Sequence, residues 1–550
     1  MNAVEIDEAR LDHLIRDFVQ PGSPGVVVGI SHRGRPVYRK GVGCASLELP
    51  YALSPSMHMR LGSITKQFTA FGFLLLCETG KASLDDRLEK YFPEFHRVTH
   101  GITMRQILGH TSGLPDACNI RFRLAGFEGE PNSAAEIIAQ YRSLSRLQNE
   151  PGTKWRYNNG GYMIASEVIA RVAGTGFKEF LAENVFSPIG MWDTLVRPWD
   201  TDFLPNSAMP HTMTPQGRFE KRYFGVDPAG AGSVMSTADD MLRWLEHMDR
   251  PIVGSRQTWS LMKTPQLLSN GVSTGYGFGL SSGTYRGMKT LGHLGGWIGG
   301  NSYAVKLPEV ELDLVVISNR NDVSCGVVAN RILDACISNL AAVPGAVPGG
   351  EVVAMFRSKP DEDVRSNAGV SARWLTGDFY SPKTGRVVQL FGGGDHQVVS
   401  IDGYDAPFRR ATERELLPSA VWSPSKQSVS LLGDPEHPAS IQLTDFGETD
   451  ELSEIPTGRA EDPQRTVGRY QAVSLSARVE VTVRDGVAHL RTESQFGSMT
   501  YRLKCLGHGF WRMNSGLSTF LDAILRFGAD YTQFELNAGT DVTLEFRRES

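Results

Sequence analysis

Hydrophobic residues follow two different periods along the chain, and the change from one period to the other predicts its elements. Residues 24–39 contain a β-branched run, a glycine turn and a second β run, which predicts a hairpin. Apolar positions then recur at helical spacing over 63–190, and strand-like segments return at 275–282 and 288–319. Strands at both ends with helices between them predict an α+β fold, in which helices flank an antiparallel sheet built from distant parts of the chain.

The pattern changes again after residues 343–350, where "VPGAVPGG" has the composition of a linker. Beyond it, short β runs are separated by glycine and aspartate turns. Segments that start at Gly377 and Gly468 resemble each other, since each has Gly-x-aromatic, a β run, a Gly/Asp turn and another β run. This repeat predicts two small antiparallel β-barrels. The predicted domains are 1–345 for the α+β unit, 346–455 for the first barrel and 456–550 for the second.

Composition narrows the classes of function. The chain has 550 residues and a net charge of -5, so it offers no electrostatic reason to bind nucleic acid or an anionic membrane. Residues 1–20 read as an amphipathic helix rather than a signal peptide, and no apolar run approaches the roughly 18 residues of a membrane span. The six cysteines form no CxxC pair, which predicts reduced thiols, a cytoplasmic location and no metal site. No cofactor motif is present in the sequence either.

A serine and a lysine stand at the start of one predicted helix in a combination that does not favour its stability. The helix in "LGSITKQFTAFGFLLLC" starts at Ser63 and carries Lys66 in its first turn, where the helix dipole favours an acidic residue. Residues three apart lie on one helix face, so the amine can reach the hydroxyl. Burial and the dipole lower the pKa of such a lysine, and a neutral amine activates a serine as a nucleophile. The alternative interpretation is a helix-capping serine beside a solvated lysine.

Other segments also match nucleophile motifs and compete with Ser63. The S-x-x-K spacing also occurs at Ser260/Lys263 and at Ser423/Lys426. Ser63 differs from these because it heads a long apolar helix that can anchor it inside a core. The G-x-S-x-G motif centred on Ser273 needs a strand before it and a helix after it, whereas a polar loop precedes it and a predicted strand follows. We therefore interpret Ser273 as a chance match.

Three motifs in a fixed order make the chain resemble the penicillin-recognising serine hydrolases, which include class C β-lactamases and DD-carboxypeptidases. Ser63-Ile64-Thr65-Lys66 matches S-x-x-K, Tyr157-Asn158-Asn159 matches Y-x-N, and His293-Leu294-Gly295 matches the H-x-G variant of K-T-G. "LGHTSGLPD" at 108–116 is another stretch typical of the family. The resemblance covers residues 20–340 and implies a β-lactamase-like domain that forms an acyl-enzyme without a cofactor.

The resemblance also implies the roles of individual residues. It assigns catalysis to Ser63, Lys66, Tyr157 and His293, and substrate binding to Asn159, Gly295 and Gly296. Tyr157 shares the base function with Lys66 and passes a proton to the leaving group. Asn159 hydrogen-bonds Lys66 and the amide of the substrate. The glycines leave a strand edge bare for the substrate, and the backbone N–H groups of Ser63 and Gly296 form the oxyanion hole.

The two barrels and the H-x-G motif make bacterial D-aminopeptidases the most similar branch of the family. These enzymes release an N-terminal D-residue from peptides, amides and esters, and a loop of their last barrel, matching 512–523 here, helps to select a free amine. They carry an asparagine twelve residues before the histidine, where this chain has Ser281, a shorter hydrogen-bonding side chain. The alternatives are a carboxylesterase or weak β-lactamase of the same fold, and a non-catalytic binding protein. A homodimer is compatible with each.

Overall fold

The computed structural model describes most of the chain. The described residues are 4–214, 216–338, 374–393, 396–418, 427–455, 461–517, 521–538 and 542–549. The predicted linker at 343–350 and the pair Ser423/Lys426 lie outside them, as does part of the segment 512–523. The predicted domain boundaries at 345 and 455 border or fall within undescribed stretches, so the domain limits stay predictions.

Helices lie between the strands of the first unit and at both of its ends. They are α1 (Glu8–Arg16), α2 (Thr65–Glu78), α3 (Met104–Leu108), α4 (Ala117–Ala125), α5 (Ala134–Ile138), α6 (Asn159–Ala173), α7 (Phe177–Leu181), α8 (Ser187–Ile189), α9 (Ala238–His247), α10 (Arg256–Lys263) and α11 (Cys325–Cys336). The predicted N-terminal helix is confirmed as α1, which buries Leu11 and Ile15. Within the ranges given above, every helix is too short or too polar to span a bilayer.

An antiparallel sheet of six strands forms the centre of this unit. The strands of the unit are β1 (Val26–His32), β2 (Arg35–Val42), β3 (Met59–Arg60), β4 (Leu195–Val196), β5 (Thr212–Met213), β6 (Phe219–Glu220), β7 (Val234–Ser236), β8 (Ser281–Tyr285), β9 (Met288–Trp297), β10 (Gly300–Leu307) and β11 (Leu312–Ser318). The order in the sheet is β2-β1-β11-β10-β9-β8. Val26 pairs with Ser318, so the first and last parts of the unit meet as predicted.

Both faces of the sheet are covered, which explains the continuous apolar runs of its central strands. Val27 and Ile317 face the large core that contains α2 and α9. Their neighbours Val28 and Val316 face a second core, formed with α1 and α11. Side chains alternate between the faces of a strand, so each central strand contributes to both cores. The predicted layer of helices around an antiparallel sheet is therefore confirmed.

One predicted strand is wrong for most of its length. The segment 275–282 reads as a strand, but β8 begins at Ser281. Gly275 and Gly279 have φ values of +71° and +72°, which an extended strand does not allow. A Cβ on Gly277 would lie 2.2 Å from the carbonyl oxygen of Met262. The glycines in this segment serve close approach of the backbone to α10 rather than strand pairing.

The rest of the described chain forms two closed antiparallel barrels, as the repeat predicts. The first barrel consists of β12 (Gly377–Tyr380), β13 (Val387–Gly393), β14 (His396–Ile401), β15 (Tyr404–Thr412), β16 (Glu415–Pro418), β17 (Ser428–Leu432), β18 (Ser440–Asp445) and β19 (Glu448–Glu454). The second consists of β20 (Gly468–Ala472), β21 (Ala477–Arg484), β22 (Val487–Ser494), β23 (Thr500–Gly507), β24 (Phe510–Asn514), β25 (Ala523–Phe527), β26 (Gln533–Ala538) and β27 (Val542–Arg548). The strands that begin at Gly377 and Gly468 open the two barrels at equivalent places.

Each barrel contacts the first unit beside a segment that leads to the predicted site. In the second barrel, Thr492 Oγ1 donates to the carbonyl of Leu124, 2.7 Å away, and Tyr501 donates to the carbonyl of Arg123 at the end of α4, 2.6 Å away. In the first barrel, Glu448 pairs with Lys154 at 2.9 Å. The second barrel therefore braces the C-terminal end of α4, and the first barrel braces the loop before the predicted Y-x-N motif.

Candidate active site

Ser63 lies in a single 3-10 turn that leads into α2. The turn spans Gly62–Ile64, and the α-helix begins at Thr65, two residues later than the sequence predicts. In the described part of the chain no side chain caps the start of α2. Gly62 has φ +54°, and a Cβ there would lie 2.8 Å from the backbone nitrogen of Gly296. Ser63 is therefore presented on a tight turn next to β9 and does not act as a helix cap.

Lys66 is completely buried, and its amine makes three hydrogen bonds. Nζ donates to Ser63 Oγ at 3.0 Å, to Asn159 Oδ1 at 2.8 Å and to the carbonyl of Ala231 at 2.9 Å. Burial lowers the pKa of Lys66 from 10.5 to about 7, although the negative charge of Asp116 opposes this shift. A large fraction of the lysine is therefore neutral at physiological pH, which is the state a general base requires. The charged amine donates all three hydrogen bonds, whereas the neutral amine keeps two hydrogens, enough for Asn159 and Ala231, and accepts from the hydroxyl of Ser63.

Tyr157 lies against this pair. Lys66 Nζ is 4.7 Å from the centre of the Tyr157 ring, and the hydroxyl hydrogen-bonds with Ser63. Burial raises the pKa of Tyr157 well above its usual range, and the hydrogen bond with Ser63 offsets part of this effect. Tyr157 is thus protonated at neutral pH and can relay a proton between Ser63 and a leaving group. The structure brings together the predicted Ser63, Lys66, Tyr157 and Asn159.

His293 lies on β9, and both of its ring nitrogens have protein partners. Nδ1 contacts the carbonyl of Leu294, which only accepts, so Nδ1 carries the hydrogen. Nε2 therefore accepts from the hydroxyl of Tyr276, 3.0 Å away. Burial and the charge of Lys66 lower the pKa of His293 to about 3. The neutral ring fixes Tyr276 and lies 6.1 Å from the ring of Tyr157, and its predicted catalytic role stays a prediction.

β9 approaches the turn of Ser63 closely because Gly295 on the strand and Gly62 on the turn lack side chains. A Cβ on Gly295 would lie 1.9 Å from the carbonyl oxygen of Leu61. β8 pairs with β9 as far as the register Ser281↔Gly292. The next stretch, 293–297, is bordered by β10 on one side and by none of the described strands on the other. This edge is available for an extended substrate, and Ser281 lies at its beginning.

Asp116 is a site residue that the sequence analysis missed. Its carboxylate accepts from the backbone nitrogen of Asn159 at 2.7 Å and of Gly160 at 3.0 Å, at the start of α6. It also caps α4 by accepting from the nitrogens of Cys118 and Asn119. One buried carboxylate therefore joins the two helix starts and holds the asparagine that binds Lys66. Its position in the "LGHTSGLPD" stretch is the signal that could have identified it.

His110 is the second residue that the sequence analysis missed. It adopts φ +59°, and its ring lies 4.5 Å from that of Tyr157. Its carbonyl accepts from the nitrogen of Arg156 at 2.8 Å, and its Nδ1 accepts from the nitrogen of Asn158 at 3.1 Å. His110 thus holds the backbone on both sides of Tyr157. A left-handed histidine leaves no mark in the sequence pattern, although the same "LGHTSGLPD" stretch contains it.

The competing serines have ordinary structural surroundings. Ser260 lies inside α10, and Lys263 donates to the carbonyl of Met248 and pairs with Asp249 rather than with the serine. Ser273 Oγ accepts from the nitrogen of Gly275, 3.3 Å away, within a turn. No described helix follows Ser273 within the distance that a nucleophile elbow needs. The geometry at these positions supports neither as a nucleophile.

The antiparallel sheet flanked by helices, the two barrels, and Ser63 beside the buried Lys66 define a serine hydrolase with the penicillin-recognising fold. The model of the beta-lactamase family matches residues 11–336, more than half of the chain. The chain therefore belongs to the beta-lactamase family.

Known proteins resemble the chain over different lengths. A Bacillus subtilis penicillin-binding protein is 26% identical over 304 residues, which cover 52% of this chain and 66% of that protein. The D-aminopeptidase of Cereibacter sphaeroides is 24% identical over 490 residues, 89% of this chain and 87% of the relative. The structure of an octameric penicillin-binding protein homologue from Pyrococcus abyssi covers 98% of this chain and 100% of its own, with a TM-score of 0.53 and 19% identity. That structure shows the same fold.

Proposed function

We propose that the protein is a D-aminopeptidase or D-amino acid amidase, a serine hydrolase that releases N-terminal D-residues from peptides, amides or esters through an acyl-enzyme. The observation that carries the chemistry is the 3.0 Å hydrogen bond between a buried Lys66 amine and Ser63 Oγ. The similarity to D-aminopeptidases over 89% of the chain, including the barrels, supports the substrate class.

Acylation follows from the contacts around Ser63. The neutral Lys66 amine takes the proton of Ser63 Oγ as the oxygen attacks the carbonyl carbon of the substrate. The backbone N–H groups of Ser63 and Gly296 stabilise the oxyanion. The neighbour of Ser63, Gly62, lies so close to β9 that a Cβ on it would be 2.8 Å from the nitrogen of Gly296. Tyr157 donates its proton to the leaving amine, the carbon–nitrogen bond breaks, and the amine departs. The proton that Lys66 took from Ser63 then replaces the one lost by Tyr157. Lys66 and Tyr157 then activate a water, which releases the acid and restores Ser63.

Substrate binding is assigned to the edge of β9. An extended acyl group adds to the stretch 293–297, where β8 no longer pairs. Asn159, which also binds Lys66, holds the amide of the substrate. Ser281 lies next to this edge and provides a hydroxyl for the free amine of the substrate. Because the side chain of Ser281 is shorter than that of asparagine, we expect weaker selection for substrates with a free amine.

The test compares D-alanine p-nitroanilide with its N-acetylated form. We expect a higher kcat/KM for the free amine, and no turnover by Ser63→Ala, because the nucleophile is then absent. Ser273→Ala is the matched control and keeps full activity. Equal rates on both substrates, or hydrolysis of p-nitrophenyl esters alone, would favour the carboxylesterase. Failure of a fluorophosphonate to label Ser63 would favour a non-catalytic binding protein.

The division into domains 1–345, 346–455 and 456–550 is also part of the proposal. The barrels that start at Gly377 and Gly468 support it. A cytoplasmic location and a homodimer stay predictions, which cell fractionation and analytical ultracentrifugation test directly.

A further inference from the structure

The turn between β18 and β19 carries a residue that its backbone does not favour. Phe446 and Gly447 have φ values of 50° and 84°, the geometry of a two-residue hairpin turn with both central residues left-handed. Such turns prefer Asn, Asp or Gly at the first position. The turn Asp485–Gly486 in the second barrel has nearly the same angles, 50° and 76°, and follows that rule. A phenylalanine in this conformation is strained, and strain of this kind concentrates at functional sites.

The ring of Phe446 packs onto the first unit rather than into its own barrel. It is 6% exposed, and its centre lies 5.8 Å from that of Trp155. Asn270 Nδ2 contacts the carbonyl oxygen of Phe446 at 3.4 Å, and Glu448 pairs with Lys154 nearby. The hairpin tip is therefore docked on the loop that immediately precedes Tyr157.

Trp155 connects this tip to the catalytic tyrosine. Its ring centre lies 5.9 Å from that of His110, 5.8 Å from Tyr276 and 6.3 Å from Tyr157. His110 holds the backbone on both sides of Tyr157, and Tyr276 binds His293. The aromatic cluster thus contacts residues of the Y-x-N and H-x-G motifs. Phe446 is the member of this cluster that the first barrel provides.

We propose that Phe446 is a positioning residue: the first barrel holds the hydroxyl of Tyr157 in place for proton transfer by packing Phe446 against Trp155. The inference rests on the proposed function of Tyr157. The loop 148–157 lacks regular helix or strand, so its position depends on the groups that pack against it. A small displacement of a proton-relaying group lowers the rate of the chemical step without a comparable loss of substrate binding.

The substitution Phe446→Asn removes the ring and gives the turn the Asn-Gly sequence that hairpins prefer. A loss of activity in this variant therefore cannot be attributed to an unfavourable turn sequence. We expect kcat on D-alanine p-nitroanilide to fall by about tenfold while KM changes by less than about twofold, because the ring acts on orientation. Asp485→Asn, which introduces the same residue at the matching exposed turn, leaves both constants unaltered. A kcat for Phe446→Asn equal to that of the control would overturn the inference.

Two further variants separate positioning from a general loss of stability. Phe446→Tyr keeps the ring at the border of a cavity of about 570 Å³, and its kcat is expected to stay near the wild-type value. Trp155→Leu, on the other side of the contact, reproduces the low kcat of Phe446→Asn. A normal kcat in Trp155→Leu would contradict the inference even if Phe446→Asn folded poorly.

A double-mutant cycle with Tyr157→Phe tests whether Phe446 acts through the tyrosine hydroxyl. In the Tyr157→Phe background, Phe446→Asn should reduce kcat little further. If the two residues acted independently, the fold-reductions in kcat of the two single variants would multiply. If Tyr157→Phe keeps wild-type activity, the proposed role of Tyr157 fails and this inference fails with it. If Tyr157→Phe loses activity and Phe446→Asn does not, only the inference about the barrel is wrong.

Discussion

At the scale of single residues, the state of Lys66 decides when the enzyme works. Its amine is the proposed base, and burial lowers its pKa to about 7. His293 has a pKa of about 3 and His110 a pKa well below its usual range, so neither titrates near neutrality. Burial raises the pKa of Tyr157 well above its usual range. Of these four groups, Lys66 is therefore the one that titrates near neutrality.

We predict that kcat/KM falls about tenfold per pH unit below pH 7 and is level above it, because protonation of Lys66 removes the base. The measurement is a pH–rate profile with p-nitrophenyl acetate, which does not titrate. Lys66→Arg, which keeps the charge but cannot lose its proton at these pH values, should be inactive throughout. A profile that is flat between about pH 5 and 8 would show that another group is the base.

His110 gives a second prediction at this scale. His110→Gly keeps the left-handed backbone but removes the acceptor for the nitrogen of Asn158, whereas His110→Asn supplies an amide oxygen in its place. We expect kcat to fall by about tenfold or more in the glycine variant and by less in the asparagine variant. His508→Gly, at an exposed position with φ +49°, is the matched control for the backbone. Equal losses in both His110 variants would contradict a role for the acceptor.

At the scale of elements, the starts of α4 and α6 depend on one carboxylate. Both oxygens of Asp116 accept backbone hydrogen bonds from the two helices. An amide has one acceptor oxygen, so asparagine would set its NH₂ group against at least one N–H donor. The two helices therefore share a cap that tolerates neither neutralisation nor a change of shape.

Asp116→Asn is expected to lower the free energy of unfolding by about 2 kcal/mol. It should also move the acid limb of the pH–rate profile to lower pH, because the negative charge of Asp116 raises the pKa of Lys66. Chemical denaturation and the same p-nitrophenyl acetate profile measure the two effects. Asp462→Asn, which changes an exposed capping aspartate, is the control for stability. An unmoved acid limb would show that Asp116 acts on structure alone.

The elements of the fold follow closely from the sequence where periodicity is strong. The hairpin of β1 and β2, the helix α2 and the strands that open the barrels at Gly377 and Gly468 all appear where their patterns predict them. The strand prediction for 275–280 is wrong because glycines alternate there with apolar residues, a pattern that is also typical of a strand. These glycines instead adopt left-handed turns and allow a close approach to α10. Periodicity reports which residues are buried, but not what buries them.

The candidate site divides in the same way. Ser63, Lys66, Tyr157 and Asn159 lie in motifs with a chemical signature and meet as expected. Asp116, His110 and Tyr276 act through backbone groups and ring contacts across long distances in the chain. Such contacts form only after the loops have packed against one another, so no local sequence pattern predicts them.

At the scale of the whole molecule, the barrels are joined by a fully buried cation. Arg512 of β24 donates to Asp405 at 3.0 Å and to Gln389 at 2.7 Å, both in the first barrel. It also lies 3.6 Å from Asp522 of its own barrel. The desolvated guanidinium therefore depends on groups from both barrels.

Arg512→Met should destabilise the junction by about 3–5 kcal/mol, because two buried carboxylates then lose this cation. Thermal unfolding followed by calorimetry, together with limited proteolysis, would detect early loosening of the barrels. Arg502→Met, on the exposed face of the neighbouring strand β23, is the control. Unchanged unfolding of Arg512→Met would show that apolar packing alone holds the barrels together.

The pairing of β1 with β11 has a consequence for synthesis on the ribosome. Val26 pairs with Ser318, so the ribosome adds almost three hundred residues after Val26 before the two central strands can pair. Contacts this distant in the chain slow folding, and partly made chains expose apolar strands that chaperones recognise. The proposed nucleophile, Ser63, leaves the exit tunnel early, but the strand with Gly296, its proposed partner in the oxyanion hole, follows more than two hundred residues later. Nascent chains are therefore inactive, and hydrolysis begins only when the sheet has closed.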